Sequence, residues 1–232
     1  FSFEKGLCLT FKTYLSTFFF CFFTWAITLL IGFCVAYFLV FYINSIPLQV
    51  TLFLICTIPF WTSNVIRMVA WIPLLGRNGL VNDLLISSGI IQEPVEWLLY
   101  SNFSVILALV HLYTLFMIVP IFNSMLRIDK EVIEAAYDAG ASQIQVITSV
   151  IIPLCKPGII IGSIFVITVV MGDFLTIGIM GGQQLASVGK IINTEMNYLQ
   201  LPGAAANSVI LLVITILVII VMTKFIDIRK EL

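Results

Sequence analysis

Five long apolar stretches alternate with shorter polar segments along the chain. They cover residues 14–43, 50–74, 104–126, 158–180 and 207–224. A transmembrane helix needs about 20 mainly apolar residues to cross the hydrocarbon core of a bilayer. The short strands of alternating apolar and polar residues that mark a membrane barrel do not occur in the sequence. The pattern therefore predicts an all-α membrane protein with five spans in one transmembrane domain, 1–232.

The polar segments between the spans predict the loops. Residues 44–49 form a short turn, and residues 75–103 are long enough for a short helix over 80–86. Residues 181–206 are also long enough for an interfacial helix. The segment 127–157 is the most polar of the four, so we expect it to lie in water.

Composition excludes a soluble enzyme. Hydrophobic residues make up 61% of the chain, charged residues only 10%, and the mean hydropathy is +1.14. A soluble domain of this size could not bury that much apolar surface. We therefore expect the lipid bilayer to be the surrounding solvent, and we expect no nucleic-acid partner.

The basic residues predict the orientation of the chain. One group, Arg127, Lys130 and Lys156, flanks the polar segment 127–157, and another group, Lys224, Arg229 and Lys230, follows the last span. Five spans place both groups on the same side, which the positive-inside rule makes cytoplasmic. The same count leaves Phe1 outside, so we expect further residues upstream, including one more span.

The polar segment 127–157 predicts two short cytoplasmic helices joined at a glycine. Asp129 is suited to cap the first helix, and acidic residues in its early turns suit the positive end of the helix dipole. Gly140 allows the chain to turn. A second helical run from Ser142 to Ile152 is expected to stop at Pro153. The alternative interpretation from these residues alone is an ordinary solvated loop.

The same segment resembles the EAA motif of the membrane subunits of ABC importers. That motif has Glu-Ala-Ala, three residues, Gly, nine residues, Ile, one residue, Leu and Pro between two spans. Here Glu134-Ala135-Ala136 is followed by Gly140, then by Val150 and Ile152 in place of Ile and Leu, and then by Pro153. The resemblance implies that an ATPase contacts a set of residues in this loop, namely Glu134, Ala135, Ala136, Asp138, Gly140 and Pro153.

Further segments are similar to the branch of these permeases that handles spermidine, putrescine and related amines. The similar segments are 59–64, 76–82, 127–130, 172–174 and 181–182. The stretches 187–189 and 227–232 look more like relatives assigned to opine-type or other amine solutes. The resemblance therefore implies a small cationic, polyamine-like solute, with an opine, an aminophosphonate or another amine-bearing solute as the alternative.

The resemblance also implies the assembly around the chain. It implies a type I ABC importer permease fold in the bacterial inner membrane, with a cytoplasmic ABC ATPase dimer, a second permease subunit and a periplasmic solute-binding protein as partners. No GxxxxGK[ST] loop for nucleotide phosphates is present, since the run from Gly182 to Lys190 has the wrong spacing. We expect no cofactor and no catalytic residue in this chain, with ATP and Mg held by the partner ATPase.

Polar and aromatic residues inside the spans are candidates for the solute pathway. An ionisable residue within a bilayer costs about 2.5–3.5 kcal/mol on insertion scales, so Asp173 is the strongest candidate. Its alternative role is a structural partner for Arg67 or for a backbone amide. Aromatic rings attract ammonium groups. The predicted pathway residues are Asp173, Trp61, Asn64, Tyr113 and Thr176.

Other functions fit the sequence less well. His111 is the single histidine, and without a second ligand at suitable spacing it predicts hydrogen-bonded packing rather than a metal site. A secondary transporter would need ion sites at broken helices in paired repeats, and a channel would need a repeated selectivity element. Neither pattern is visible in the sequence. Gly158 and Gly162 form a GxxxG pair that predicts close helix packing.

Overall fold

The computed structural model describes residues 2–182 and 184–224. Its described residues form helices and turns, and no strand occurs among them, which confirms the all-α prediction. The twelve α-helices in the described part are α1 Ser2–Tyr37, α2 Ile46–Thr57, α3 Asn64–Leu75, α4 Leu80–Ser87, α5 Asn102–Met125, α6 Lys130–Asp138, α7 Gln143–Val146, α8 Ile152–Leu154, α9 Lys156–Gly172, α10 Leu175–Met180, α11 Val188–Asn197 and α12 Leu201–Thr223. Two π-helical turns, Phe38–Tyr42 and Ile147–Ile151, and a 3₁₀ turn, Ile58–Trp61, join some of them.

Three helices among the described residues are long and apolar enough to cross a membrane. They are Thr10–Tyr42, Asn102–Met125 and Leu201–Thr223. Two bent helix pairs raise the number to five if each pair is counted as one span. The first, third and fifth predicted spans are therefore single helices, whereas the second and fourth are not.

The second predicted span, 50–74, is not one continuous helix. α2 ends at Thr57, the 3₁₀ turn follows, and α3 begins at Asn64. Pro59 lacks the backbone N–H that an α-helix would need at this point, so the break follows from the residue that the sequence places there.

The fourth predicted span, 158–180, is also interrupted. α9 ends at Gly172 and α10 begins only at Leu175, so Asp173 and Phe174 lie outside both helices. The Asp173 carboxylate accepts a hydrogen bond from the Thr176 backbone amide, which lies in the first turn of α10. This bond supports a new helix start, and glycine at 172 weakens the preceding helix end.

The chain divides into two compact units. Unit 1 comprises Phe1–Trp25, Pro59–Leu112 and Ile167–Ile216, and unit 2 comprises Ala26–Ile58, Tyr113–Val166 and Leu217–Leu232. The prediction of one transmembrane domain stays a prediction. The unit 1 core includes Phe20, Met68, Leu109, Ile177 and Met180, and the unit 2 core includes Ala36, Met117, Ile121, Met125 and Ile151.

Small residues bring helices close together in unit 2. A Cβ added at Gly158 would lie 2.4 Å from the Pro120 carbonyl oxygen, and one added at Gly162 would lie 2.8 Å from the Met117 sulfur. Both distances are shorter than a non-bonded contact allows. The predicted packing role of the GxxxG pair on α9 is therefore confirmed, with α5 as its partner.

Two of the loop predictions agree with the structure. α4, Leu80–Ser87, matches the short helix expected over 80–86, and α11, Val188–Asn197, occupies the segment 181–206. The stretch 227–232, which carries Arg229 and Lys230, lies outside the described residues, so the predictions that rest on it remain untested.

Candidate functional site

The first helix of the polar segment carries most of the motif residues. α6 runs from Lys130 to Asp138 with Asp129 at its N-cap position, as predicted. The Asp129 side chain makes no capping hydrogen bond, so that part of the prediction is wrong. The backbone turns into the helix without it, and Glu131 in the first turn suits the helix dipole.

The motif side chains on α6 are largely accessible. Glu134, Ala135 and Asp138 are exposed, and Ala136 is half-buried. Exposed alanines cover little of the backbone, so another protein surface could approach the helix closely. α6 is thus a short, solvated helix with an acidic and small-residue surface.

Gly140 ends α6 in a left-handed turn with φ of +86°. Its amide donates to the Tyr137 carbonyl at 2.8 Å, and the Ala141 amide donates to the Ala136 carbonyl at 3.1 Å. This pair of bonds is the Schellman motif, which favours glycine at the left-handed position. The predicted glycine joint between the two short helices is confirmed.

A reciprocal cap starts the second short helix. The Gln145 amide donates to the Ser142 hydroxyl oxygen at 3.4 Å, and the Ser142 amide donates to the Gln145 side-chain carbonyl at 2.8 Å. This capping box satisfies two backbone N–H groups that have no partner within the helix. The turn between α6 and α7 is thus held at both ends.

Pro153 does not end the second helical run, contrary to the prediction. After α7, the chain passes through the π-helical turn Ile147–Ile151 and continues as α8 to Leu154. The Ile152 amide donates to the Ile147 carbonyl, five residues back. Pro153 occupies the first turn of α8, where a proline is tolerated because its missing N–H has no helical partner there. The run then bends by 68° into α9.

A cleft of about 360 Å³ lies beside this loop in unit 2. Glu134 and Tyr137 of α6 line it together with Tyr37, Tyr42 and Gln143. The Gln143 side-chain amide donates to the Tyr42 hydroxyl oxygen at 3.4 Å. The polar segment 127–157 therefore contacts the π-helical turn at the end of the first span.

The Asp173 carboxylate accepts two hydrogen bonds from Thr176. One oxygen accepts from the Thr176 amide at 2.9 Å, and the other accepts from the Thr176 hydroxyl at 2.5 Å. Asp173 is half-buried, and Thr176 is 1% exposed. Of the two predicted structural partners, the structure confirms a backbone amide. The bonds also fix the direction in which the carboxylate points.

The N-terminus of α11 packs against the same helix break. A Cβ at Gly189 would lie 2.9 Å from the Gly172 carbonyl oxygen. The Val188 amide donates to the Thr17 hydroxyl oxygen at 3.0 Å, and Ser187 is fully buried. No structural role was predicted for these residues, although the stretch 187–189 resembles relatives assigned to opine-type or other amine solutes. The sequence offered one signal for this contact, a glycine two positions after a serine that caps a helix. The residues that this glycine contacts are distant in the chain, so the contact itself was not predictable.

The other predicted pathway residues are divided between the units. Trp61 is 84% exposed on the 3₁₀ turn, and the Asn64 side-chain oxygen accepts a hydrogen bond from the Arg67 guanidinium. α3, which begins at Asn64, packs against α10, which carries Thr176. Tyr113 belongs to unit 2, where it is buried. The structure thus groups Asn64 and Thr176 on packed helices of unit 1.

His111 packs against a tryptophan. The Trp71 indole N–H donates to the Nδ1 atom of His111 at 3.2 Å, and the two rings meet edge to face at 5.6 Å. The predicted hydrogen-bonded packing role of His111 is confirmed.

Asn82 organises the segment between α3 and α5. It is fully buried, and its side-chain amide donates to the carbonyls of Gly76 and Val95 at 3.0 and 3.1 Å. Its side-chain oxygen accepts from the Val95 amide at 2.8 Å. One side chain therefore ties α4 to the chain on both sides of it.

Replacing Asn82 with leucine is expected to destabilise unit 1. An unsatisfied buried polar group costs about 1–3 kcal/mol, and this change leaves the Val95 amide without its partner. Thermal unfolding in detergent should show a melting temperature lower by about 5 °C. The matched control is Asn78→Leu, which alters an exposed asparagine nearby. Equal shifts in both variants would show that the three bonds of Asn82 do not stabilise the fold.

The chain is similar in sequence to permease proteins of known transport systems. The chain is 34% identical over 165 residues to the spermidine/putrescine transport system permease protein PotB of Escherichia coli, covering 71% of this chain and 60% of that protein. It is 38% identical over 144 residues to PotB of Haemophilus influenzae, covering 62% of this chain and 50% of that protein. The inner membrane ABC transporter permease protein YdcU of Escherichia coli is 27% identical over 162 residues, which cover 64% of this chain and 51% of that protein.

The match to a whole family is broader than these pairwise matches. A family profile described as the binding-protein-dependent transport system inner membrane component matches residues 13–229. That range includes the five predicted spans, the polar segment 127–157 and the helix break at Asp173. The chain therefore belongs to the family of inner-membrane components of binding-protein-dependent transport systems.

Proposed function

We propose that this chain is the permease subunit of an ATP-driven importer for a small cationic, polyamine-like solute. The family supports the transport role, and the two PotB relatives support the solute class. The chain spans 60% or less of the length of these relatives, so the solute and the partners belong to the proposal.

The observation that carries the proposal is the geometry of the polar segment 127–157, which we call the coupling loop. α6 presents an exposed acidic and small-residue surface, and the Schellman turn at Gly140 and the capping box at Ser142 fix the angle at which α7 follows. A rigid pair of short helices can transmit a displacement, whereas a flexible loop would absorb it. The protein that contacts this pair of helices is a cytoplasmic ABC ATPase dimer, which binds ATP and Mg and hydrolyses the ATP.

The covalent connection from α7 through α8 to α9 allows a movement of the short helices to reach the solute pathway. Only Cys155 separates α8 from α9, and α9 leads from the coupling loop to Asp173. A shift of α6 and α7 by the ATPase therefore pulls directly on a spanning helix. The interruption at Asp173 lets α9 and α10 change their relative angle without breaking a continuous helix.

A carboxylate in the pathway suits a polyamine. Each ammonium group of the solute must exchange water for a comparably polar environment. A carboxylate about 4 Å away, at an effective dielectric constant near 20, offers about 4 kcal/mol of attraction. The two hydrogen bonds from Thr176 orient the Asp173 carboxylate before the solute arrives. Trp61, Asn64 and Tyr113 are the further pathway residues of the proposal.

Transport by the assembled complex tests this function. Proteoliposomes would contain this permease, the second permease subunit and the ATPase dimer, with the periplasmic solute-binding protein added. We expect uptake of labelled spermidine that requires ATP and all components, and competition by putrescine. Uptake without ATP would indicate a secondary transporter. Competition by opines or aminophosphonates but not by polyamines would overturn the solute assignment.

A further inference from the structure

A groove in unit 2 lies between the end of α5 and the start of α9, at the side that the basic residues predict as cytoplasmic. It measures about 250 Å³, and the proposed function gives it no role. The lining residues that matter here are Asn123, Ser124, Arg127, Pro157 and Ile161. Arg127 and Pro157 are the first and last residues of the coupling loop. We call this space the basal groove, because both ends of the loop meet there.

A close contact between two backbones forms one wall of the basal groove. Pro120 of α5 and Gly158 of α9 both line it. A Cβ added at Gly158 would lie 2.4 Å from the Pro120 carbonyl oxygen and 2.6 Å from the Ser124 Cβ. A side chain larger than that of glycine would therefore not fit between the helices at this point. The two ends of the coupling loop are thus held together by helix packing.

The outer part of the basal groove carries hydrogen-bond donors. Asn123 and Ser124 belong to the last turn of α5, and Arg127 lies in the turn that follows. The Arg127 amide donates to the Ser124 carbonyl at 3.3 Å, which ties this turn to the helix end. Asn123 and Arg127 are exposed. Amide, hydroxyl and guanidinium groups donate to phosphate oxygens, and a guanidinium does so with two parallel bonds.

The charges around the basal groove favour an anion. Arg127 is the one charged residue among those that line it, and all of these lie in the described part of the chain. The exposed Lys156 precedes Pro157 in the first turn of α9 and adds a second positive charge nearby. Asp129 and Glu131 follow Arg127 in the chain but do not line the groove.

The inner part of the basal groove is apolar and continues along α9 into the span. Ile161 lines the groove and is 42% exposed, and Phe165, one helical turn further on, is 48% exposed. Residues four positions apart lie on the same side of a helix. The Phe165 ring packs against Phe116 of α5, with 6.4 Å between ring centroids. An anion with a hydrocarbon chain would cover this strip, whereas a free phosphate would leave it exposed.

We propose that the basal groove binds the headgroup of an anionic phospholipid from the cytoplasmic leaflet. The Arg127 guanidinium and the Asn123 side-chain amide donate to the phosphate oxygens, and an acyl chain lies along Ile161 and Phe165. Basic pockets between spanning helices at the cytoplasmic side suit anionic headgroups, and anionic lipids give that leaflet its negative surface potential. The bound lipid contacts both ends of the coupling loop. The proposal goes beyond the proposed function and does not depend on the solute.

A lipid titration tests the basal groove. The assembled complex is reconstituted in phosphatidylcholine vesicles with increasing shares of phosphatidylglycerol, then extracted and analysed by native mass spectrometry for retained lipid. The wild type is expected to retain phosphatidylglycerol. Arg127→Gln should lower its apparent affinity about fivefold, the effect of removing one basic side chain beside an anionic membrane surface. Asn123→Leu removes a donor of the same groove and should also weaken retention. The matched control is Lys224→Gln, which alters an exposed lysine at the end of α12 and should leave retention unchanged.

Photo-cross-linking in the otherwise unchanged complex covers the case in which a variant fails to assemble. A photoactivatable residue at position 161 is expected to capture phosphatidylglycerol in excess of its share in the vesicle. The same residue at Leu217, an exposed position near the end of α12, should capture the two lipids in the vesicle ratio.

Four outcomes would overturn the lipid proposal. They are unchanged retention in both groove variants, equal lipid ratios at positions 161 and 217, displacement of phosphatidylglycerol by an equal concentration of inorganic phosphate, and capture of the second permease subunit from position 161. The third outcome would indicate a site for a free anion, and the fourth would indicate a subunit interface. None of these measurements depends on transport, so each outcome leaves the proposed function intact.

Discussion

Replacing Gly140 with valine is expected to lower solute uptake about tenfold or more while leaving the spans inserted and the complex assembled. Apart from Gly140 and its two chain neighbours, no residue lies within 4 Å of the position that a Cβ would occupy, so the effect is not a clash. The cause is the backbone, because φ of +86° is strongly disfavoured for a β-branched residue. The turn must open to relieve the strain, and α7 then leaves α6 at another angle. A loss of about 1.4 kcal/mol in coupling is a factor of ten in rate.

Gly140→Asn provides the matched control, because asparagine adopts the left-handed conformation more readily than other side chains do. It should retain most of the uptake. A second variant, Glu134→Lys, reverses the charge of an exposed α6 residue without altering the turn. It should reduce uptake through weaker contact with the ATPase. Normal, substrate-stimulated uptake in Gly140→Val and Glu134→Lys would contradict the coupling role.

The second large effect is expected at Asp173. Asp173→Asn keeps an oxygen that can accept from the Thr176 amide, so the start of α10 is preserved while the charge is removed. The attraction between the carboxylate and an ammonium group of the solute is about 4 kcal/mol. If half of it stabilises the solute during passage, its loss lowers the uptake of a cationic solute about 30-fold. The measurement is the initial uptake rate of labelled spermidine, compared with basal ATP hydrolysis in the same vesicles.

Asp173→Ala separates the charge from the local hydrogen bonds. It removes both bonds to Thr176, so it should lower thermal stability by about 1 kcal/mol, as the loss of a helix cap does. Asp173→Asn should leave the thermal stability unchanged. A normal uptake rate in Asp173→Asn would show that the carboxylate is only structural, and transport of an anionic solute would remove the physical support for a polyamine.

The spans that are uniform in composition could be predicted from the sequence. The first, third and fifth apolar runs are continuous and became single helices. The turn between α6 and α7 was also predictable, because Gly140 and Ser142 act on their immediate neighbours. Turns and helix caps of this kind depend on a few neighbouring residues, so the sequence itself predicts them.

The remaining features depend on contacts between distant parts of the chain or on the exact backbone path. Pro153 signals a helix end, yet the π-helical turn before it lets the helix continue. Asp173 is a charge in an apolar run, and only the structure shows that Thr176 holds it. Asn82 bonds to Val95, thirteen residues away, and Gly189 packs against Gly172. The partners of Asn82 and Gly189 lie many residues away in the chain, so no local pattern predicts these two contacts.

The proposed function requires α6 to lie on a cytoplasmic ATPase and to move with it. The most direct measurement is photo-cross-linking from a photoactivatable residue at Ala135, an exposed position on α6, in the assembled complex. We expect capture of the ATPase, with a yield that changes between ATP-bound and nucleotide-free complexes, and no capture from the same residue at Asp83 of α4. A complex that assembles and transports normally, yet shows no ATPase capture from Ala135, would contradict it.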